Sequence, residues 1–250
     1  MASFPTPAWL VGCGNMAGAM VAGWRAGALD LSGVTVIRPS GRPVEGVRTV
    51  TDYPDEDPAF VMLGFKPQKL DEIAPQLAKR IGSGTILVSM LAGISAASLR
   101  ERFPNARVIV RIMPNLPVAQ VQGVVAIYSE DGDLDQLADV RQLMASLGMI
   151  AWCDSEAELG VIGALAAAGV AYVARFAGAL QAAGEALGLR PGLAEQVAIQ
   201  TLVGTGAYAA DTAASMAEIA RRVASPQGTT EQGLAVLDRP DGLAPLVERA

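Results

Sequence analysis

The 250-residue chain contains no histidine. That absence removes Ser-His-Asp triads, histidine general bases and histidine metal ligands in one step, and no metal site is expected. Cysteine is scarce: Cys13 and Cys153 are the only two, far apart in sequence. They make no C-x-x-C pair and are too few for a disulfide scaffold, so a reducing, cytoplasmic setting is expected and both read as small buried apolar residues. Lysine occurs only as Lys66, Lys69 and Lys79, and none follows residue 79. A basic excess is missing too, since the formal net charge is −6, and no nucleic-acid partner is expected. Residues 1–7 carry no basic run ahead of an apolar one, so no signal peptide is expected. The longest uncharged apolar stretch, Leu159 to Ala174, has 16 residues. That is short of the roughly 18 to 20 of a membrane span, so it reads as a buried helix and no membrane partner is expected.

What is present is apolar surface. Hydrophobic residues make up 51% of the chain and charged residues 18%, enough to bury a sizeable core and to exclude disorder as the main state. Short apolar runs recur at 8–12, 34–37, 47–50, 60–65, 85–89, 107–112, 124–128 and 149–152. Helical patterns separate several of them, at 15–28, from Lys66-Pro67 to Arg80, at 95–102 and near 134–147. Strands alternating with helices of about a dozen residues predict βαβ units and a mainly parallel, α/β sheet. The texture changes after Asp154, where alanine, glycine and leucine dominate without a strand-like run. We read domains 1–155 and 156–250, the second all-helical, with helices near 156–188, 191–210 and 213–222, one from Thr230 and a short last one. Helices this apolar need a cover, and a second copy of the chain through a two-fold interface is the simplest one.

Gly12-Cys13-Gly14-Asn15-Met16-Ala17 follows the first strand and opens the first helix. This is G-x-G-x-x-A in the strand–turn–helix setting that makes it a dinucleotide turn. Gly12 permits the turn, Gly14 lets backbone approach a pyrophosphate, and Ala17 allows close helix–strand packing. The helix start offers free N–H groups to the anion. At the end of the second strand an NAD site places a carboxylate on the ribose. Here the residues are Arg38-Pro39-Ser40-Gly41-Arg42, which offer positive charge and a hydroxyl to a 2′-phosphate. NADPH is therefore the expected cofactor, with NADH as the alternative.

VGCGNMAGAM at 11–20, GFKP at 64–67, SMLAGIS at 89–95, RIMPNLP at 111–117, AIQTLVGTG at 198–206 and VASPQGTTEQGL at 223–234 occur in this order. Together they resemble the pyrroline-5-carboxylate reductase family over nearly the whole chain. The resemblance implies a Rossmann-like doubly wound N-terminal domain and a helical C-terminal dimerisation domain, with rings of dimers in some members. It implies NAD(P)H-dependent reduction of 1-pyrroline-5-carboxylate, a small cyclic imine carboxylate, to L-proline. Gly12, Gly14, Asn15 and Met16 then match the dinucleotide turn, and Lys66 and Pro67 the loop along the cofactor. Ala92 and Gly93 match the loop beside the nicotinamide, and Met113, Pro114 and Asn115 the segment near nicotinamide and imine. Ser225, Pro226, Gly228, Thr229 and Thr230 match the substrate loop. Its backbone amides hold the substrate carboxylate in the family, and the Thr230 hydroxyl bonds the ring nitrogen, which makes Thr230 the catalytic candidate.

The chain departs from the family pattern at several places. Ala166-Ala167-Ala168-Gly169-Val170 replaces Gly-Ser-Gly-Pro, Leu116 replaces the threonine of MPNTP, and Gln227 replaces the first glycine of SPGGTT. No asparagine lies between Val44 and Lys66, where the family has one near the cofactor ribose. These changes keep a different cyclic imine open as substrate. A β-hydroxyacid or ketopantoate-type dehydrogenase needs a lysine from its helical domain, which this chain lacks. A non-catalytic NADP-binding regulator would not need a substrate loop. An imine nitrogen arrives partly protonated, so its reduction needs positioning and anion binding rather than a strong side-chain acid.

Overall fold

A computed structural model of the chain describes residues 2–131 and 137–250. Its packing divides after Tyr172 into two compact units. In the first, strand β1 (Ala8–Val11) lies at the centre of a sheet, paired in parallel with β2 (Val34–Ile37) and β4 (Phe60–Leu63). Strand β3 (Arg48–Val50) extends one side. On the other side follow β5 (Ile86–Ser89), β6 (Val108–Pro114), β7 (Gly123–Tyr128) and β8 (Gly148–Trp152). The order among the described residues is β3-β2-β1-β4-β5-β6-β7-β8, and only the β6–β7 pair is antiparallel. Sheet growth reverses between β1 and β4, which makes their carboxyl ends the crevice where ligands enter such sheets.

The short strands are apolar throughout because both faces are covered. Leu10, Val36, Met62, Val88 and Val110 point to one face, against helices α1 (Asn15–Ala26) and α4 (Ala138–Ala145). Trp9, Val61, Leu63, Leu87 and Ile109 point to the other, where α2 (Leu70–Leu77) and α3 (Ala96–Arg102) supply Leu77 and Leu99, joined by Phe103 just after α3. The sheet is thus doubly wound. Trp24 Nε1 ties α1 to α4 by donating to the Leu143 carbonyl at 3.1 Å. The helical pattern read from Lys66 to Arg80 is three pieces: a 3-10 turn at Pro67–Lys69, α2, and a second turn at Ala78–Arg80. Pro75 lies within α2 and brings no amide to the Asp71 carbonyl. The helix expected from Leu134 begins outside the described residues; its described part is α4.

After β8 the chain is helical: α5 (Glu156–Ala186), α6 (Pro191–Thr212), α7 (Met216–Val223), α8 (Thr229–Leu237) and α9 (Leu243–Arg249). Pro191 sits in the first turn of α6, where its missing amide costs nothing. Ser215 and Glu218 close a capping box at the start of α7. The expectation of a buried helix over 159–174 is corrected. Of the 31 residues in α5, Leu159 and Gly163 are buried. Leu165, Val173, Leu180, Val197, Ile199 and Val203 on α5 and α6 are exposed in the single chain. With 31 residues, α5 is long and apolar enough by length and composition to cross a membrane, a property that soluble core helices share. Apolar composition shows that a helix needs a cover, whereas its supplier depends on contacts that composition does not carry.

Candidate active site

The glycine turn joins β1 to α1. Gly12 has φ +81°, and a Cβ there would stand 2.9 Å from Cβ and N of Phe65. The backbones of the first and fourth strands close together at this point, with Gly64 N donating to the Val11 carbonyl at 2.9 Å. Ala17 packs under them, buried, 3.1 Å from where a Cβ on Gly64 would be. Gly14, the N-cap of α1, differs: a Cβ on it meets nothing within 4 Å. Among the described residues no acceptor meets the amides of Asn15, Met16 and Ala17. Three free donors and the positive end of a helix thus face open space, which suits a pyrophosphate.

Beyond β2 the chain turns through Arg38–Gly41, where Gly41 N donates to the Arg38 carbonyl at 3.0 Å. Arg38 is half-buried, and Ser40 and Arg42 are exposed. Burial pushes the Cys13 thiol up, and the Arg38 charge opposes that shift. No carboxylate occurs in residues 38–42. Cys153 is buried as well, with its thiol pushed up by burial first and then by Glu158.

The remaining cofactor candidates share one edge of the sheet. Val11 pairs with Leu63, Leu63 with Ser89, and Ser89 with Arg111. The segments that follow these strands therefore leave at one level, in a row spaced by about 4.8 Å per strand. In that row stand the glycine turn, Lys66-Pro67, Ala92-Gly93 and Met113–Asn115. Lys66 is exposed and extended ahead of Pro67, which opens its 3-10 turn. Ala92 and Gly93 are exposed, and Gly93 has φ +75°. Asn115 is buried and committed to the fold: Oδ1 accepts from Val124 N at 2.8 Å and Nδ2 donates to the Ala166 carbonyl at 3.1 Å. A dinucleotide fits this rim, with anion donors at one end and small exposed residues two strands away.

In the second unit, Ser225-Pro226-Gln227-Gly228 is a β-turn closed by Gly228 N donating to the Ser225 carbonyl at 2.9 Å. Pro226 stands second and Gln227, with φ +58°, third, the φ pattern of a type II turn. Gly228 is the N-cap of α8, and among the described residues the amides of Thr229, Thr230 and Glu231 meet no acceptor. Glu231 turns back instead, accepting from Gln227 N at 2.6 Å. Thr230 is half-buried while Ser225 and Thr229 are exposed. This is a second anion-receptive helix start with a hydroxyl in its first turn.

Sequence reasoning missed two residues. Arg111 is buried, and its Nη1 donates to Glu156 Oε1 at 2.7 Å. The same oxygen accepts from Ala96 N at 2.7 Å. The only local signal was an arginine inside an apolar strand. Among the described residues no cluster of three His, Cys, Asp or Glu could hold a metal.

Residues 156–250 match the family described as pyrroline-5-carboxylate reductase dimerisation. A pyrroline-5-carboxylate reductase of Pseudomonas aeruginosa is 31% identical over 249 residues, covering 96% of this chain and 91% of that protein. A solved pyrroline-5-carboxylate reductase of Coxiella burnetii is similar with TM-score 0.85 at 29% identity, over 94% of this chain and 91% of that one. The Plasmodium falciparum pyrroline carboxylate reductase, solved with NADP bound, shares the fold with TM-score 0.83 at 21% identity, over 95% of this chain and 91% of that one. The doubly wound sheet and the helical region after it are a Rossmann-class architecture, and the reductase relatives place the chain among the oxidoreductases that use it. On the full-length match, the chain belongs to the pyrroline-5-carboxylate reductase family.

Proposed function

We propose that this protein reduces 1-pyrroline-5-carboxylate to L-proline with NADPH, NADH serving as the weaker donor. The observation that carries the reading is the rim: an open helix start at Gly14 in register with small exposed loops, beside a β2 turn with arginines and no carboxylate. The names of the relatives, and NADP in the Plasmodium falciparum structure, support it.

Bound NADPH supplies a hydride to the imine carbon, C5, while the nitrogen keeps the proton it carried as the iminium, so L-proline and NADP⁺ result. The chain's residues bind and orient. Gly12, Gly14, Asn15 and Met16 present backbone to the pyrophosphate, and Arg38 and Ser40 take the 2′-phosphate. Lys66-Pro67 and Ala92-Gly93 line the remainder of the cofactor, and Asn115 acts through the segment it holds. In the turn from Ser225 to Gly228 and the α8 start after it, the amides of Thr229 and Thr230 bind the carboxylate. The Thr230 hydroxyl accepts from the protonated ring nitrogen and fixes which face of C5 is presented. No side-chain acid is needed, which suits a chain without histidine and without lysine beyond residue 79.

Residues 156–250 form the dimerisation domain, with the exposed apolar faces of α5 and α6 covered by a second copy. The start of α5 is used by its own sheet, through Leu159, Gly163 and the Ala166 carbonyl, and Arg175 lies in what remains. That favours a protein cover over a membrane and a cytoplasmic enzyme, assembled as a dimer or a ring of dimers.

The test is NADPH oxidation on adding 1-pyrroline-5-carboxylate, with NADH and a six-membered cyclic imine carboxylate in parallel. Turnover highest on the five-membered ring supports the proposal. Preference for the six-membered ring would move the substrate to that imine, and no turnover on either would refute it.

A further inference from the structure

We propose that Glu156 and Arg111 are positioning residues that hold the Ala92–Gly93 loop in the geometry hydride transfer requires. The inference rests on the reductase reading above. The loop runs from Ser89 to Ala96 and its middle is exposed. At its first end the buried Ser89 hydroxyl accepts from Leu91 N at 3.2 Å. At its far end Ala96 N donates to Glu156 Oε1, and Arg111 Nη1 donates to the same atom. Arg111 is also the strand partner of Ser89. Both ends of the loop are therefore referenced to one residue of β6, one through the sheet and the other through the Glu156 carboxylate.

A solvated surface ion pair would carry no such weight. This one is different, since the Arg111 side chain is 10% exposed and that of Glu156 30%. A guanidinium so placed needs its partner, and the oxygen that satisfies it also fixes the first amide of α3. Glu156 is in addition the first residue of α5. Leu159 is buried on the same stretch, Gly163 lies where a Cβ would stand 2.3 Å from Met113 Cγ, and the Ala166 carbonyl accepts from Asn115. The start of α5 thus grips two neighbouring segments of the rim, 92–96 through Glu156 and 113–115 through Gly163 and Ala166. No group in this latch touches substrate or cofactor in the proposed reaction. Its effect is on where the loop stands, and a displacement of about 1 Å at reacting atoms costs about a hundred-fold in rate.

The test uses the full-length protein and three variants. In Glu156→Ala, kcat should fall at least about ten-fold while KM for the imine moves less than about three-fold. The isotope effect with NADPH deuterated at the transferred position should rise, and amide exchange over 91–96 should quicken. Glu156→Gln keeps an acceptor oxygen for both donors and should recover most of kcat. Ala96→Pro removes the amide donor alone, at a first helical position preceded by an extended Ser95 (ψ 161°), where proline fits the backbone. It should reproduce the kinetic loss with both charges present, so the idea stays testable even where Glu156→Ala fails to fold. Wild-type kcat and isotope effect in folded Ala96→Pro, or losses in Glu156→Ala and Ala96→Pro that only follow the unfolded fraction, would overturn the inference. A wild-type protein inactive on cyclic imines would instead end the reductase reading, a separate result read in the first assay.

Discussion

Gly12 and Gly14 stand two residues apart in one motif, yet the structure gives them different tasks, and an alanine at each separates these. At Gly12 the backbone is left-handed and a Cβ would sit 2.9 Å from Phe65. The conformation costs about 1–2 kcal/mol for an L side chain, and forcing a methyl into a closed contact costs about 1–3 kcal/mol. Gly12→Ala should therefore lose about 2–5 kcal/mol, a fall in Tm of about 4–20 °C for a chain of this size. At Gly14, φ is −83° and space is open. Alanine is a poorer N-cap by about 0.5–1 kcal/mol, offset by about 0.4–1 kcal/mol from a stiffer unfolded chain. The melting temperature of Gly14→Ala should stay within a few degrees of wild type. On the proposed placement of the pyrophosphate, however, its methyl intrudes on the space the phosphate takes, and one lost charge-assisted hydrogen bond weakens NADPH binding by about 10- to 150-fold. Thermal melts and a fluorescence titration with NADPH measure the two effects independently. A Gly14→Ala protein that binds NADPH as wild type does would refute the placement of the pyrophosphate. A Gly12→Ala protein of unchanged stability would refute the packing argument.

Thr230→Ala should lower kcat/KM for the imine by about 10- to 100-fold with NADPH binding unchanged, and Thr230→Ser should retain most activity; steady-state kinetics decide, and equal values for alanine and wild type would remove the hydroxyl from the mechanism. Arg38→Ala should weaken NADPH by about ten-fold or more and leave NADH nearly untouched, so the ratio of the two kcat/KM values is the readout. Gln227 holds a positive φ at a turn position suited to glycine. Gln227→Gly should therefore raise Tm by about 2–4 °C, or about 1 kcal/mol. Burial raises both thiols, so the folded chain keeps their protons at pH values where the unfolded chain releases them. Their contribution to stability is complete below the ordinary thiol pKa of about 8.5 and is lost as pH rises through the raised folded values. Denaturant melts of wild type against Cys13→Ala, run from pH 7 upward, should show a shallower decline in the variant.

The strands, the glycine turn and the helix boundaries were legible because each is a local matter. Val34–Ile37 and Phe60–Leu63 are apolar at every position, as strands covered on both faces must be. Gly12 and Ala17 announce a close approach of backbones that no larger residue permits, and Arg190-Pro191 announces the start of α6. The division of 66–80 into α2 flanked by two 3-10 turns was less visible, since the whole stretch carries a helical pattern. Asn115 was read as part of the segment near nicotinamide and imine, and what the sequence did not carry is that its carboxamide bonds Val124 and Ala166, partners 9 and 51 residues away.

The sequence by itself determined the alternation of strand and helix, the anion-receptive turn, the missing ribose carboxylate and the excess of apolar helix surface. Each follows from the conformational limits of single residues or from a period of two or 3.6 within one segment. Only the tertiary structure decided that the β1, β4, β5 and β6 ends form one level rim, that Arg111 and Ala96 meet on one Glu156 oxygen, and that α5 lies largely uncovered by its own chain. Those facts depend on contacts between residues tens of positions apart, and no local pattern encodes which distant partner a side chain will meet.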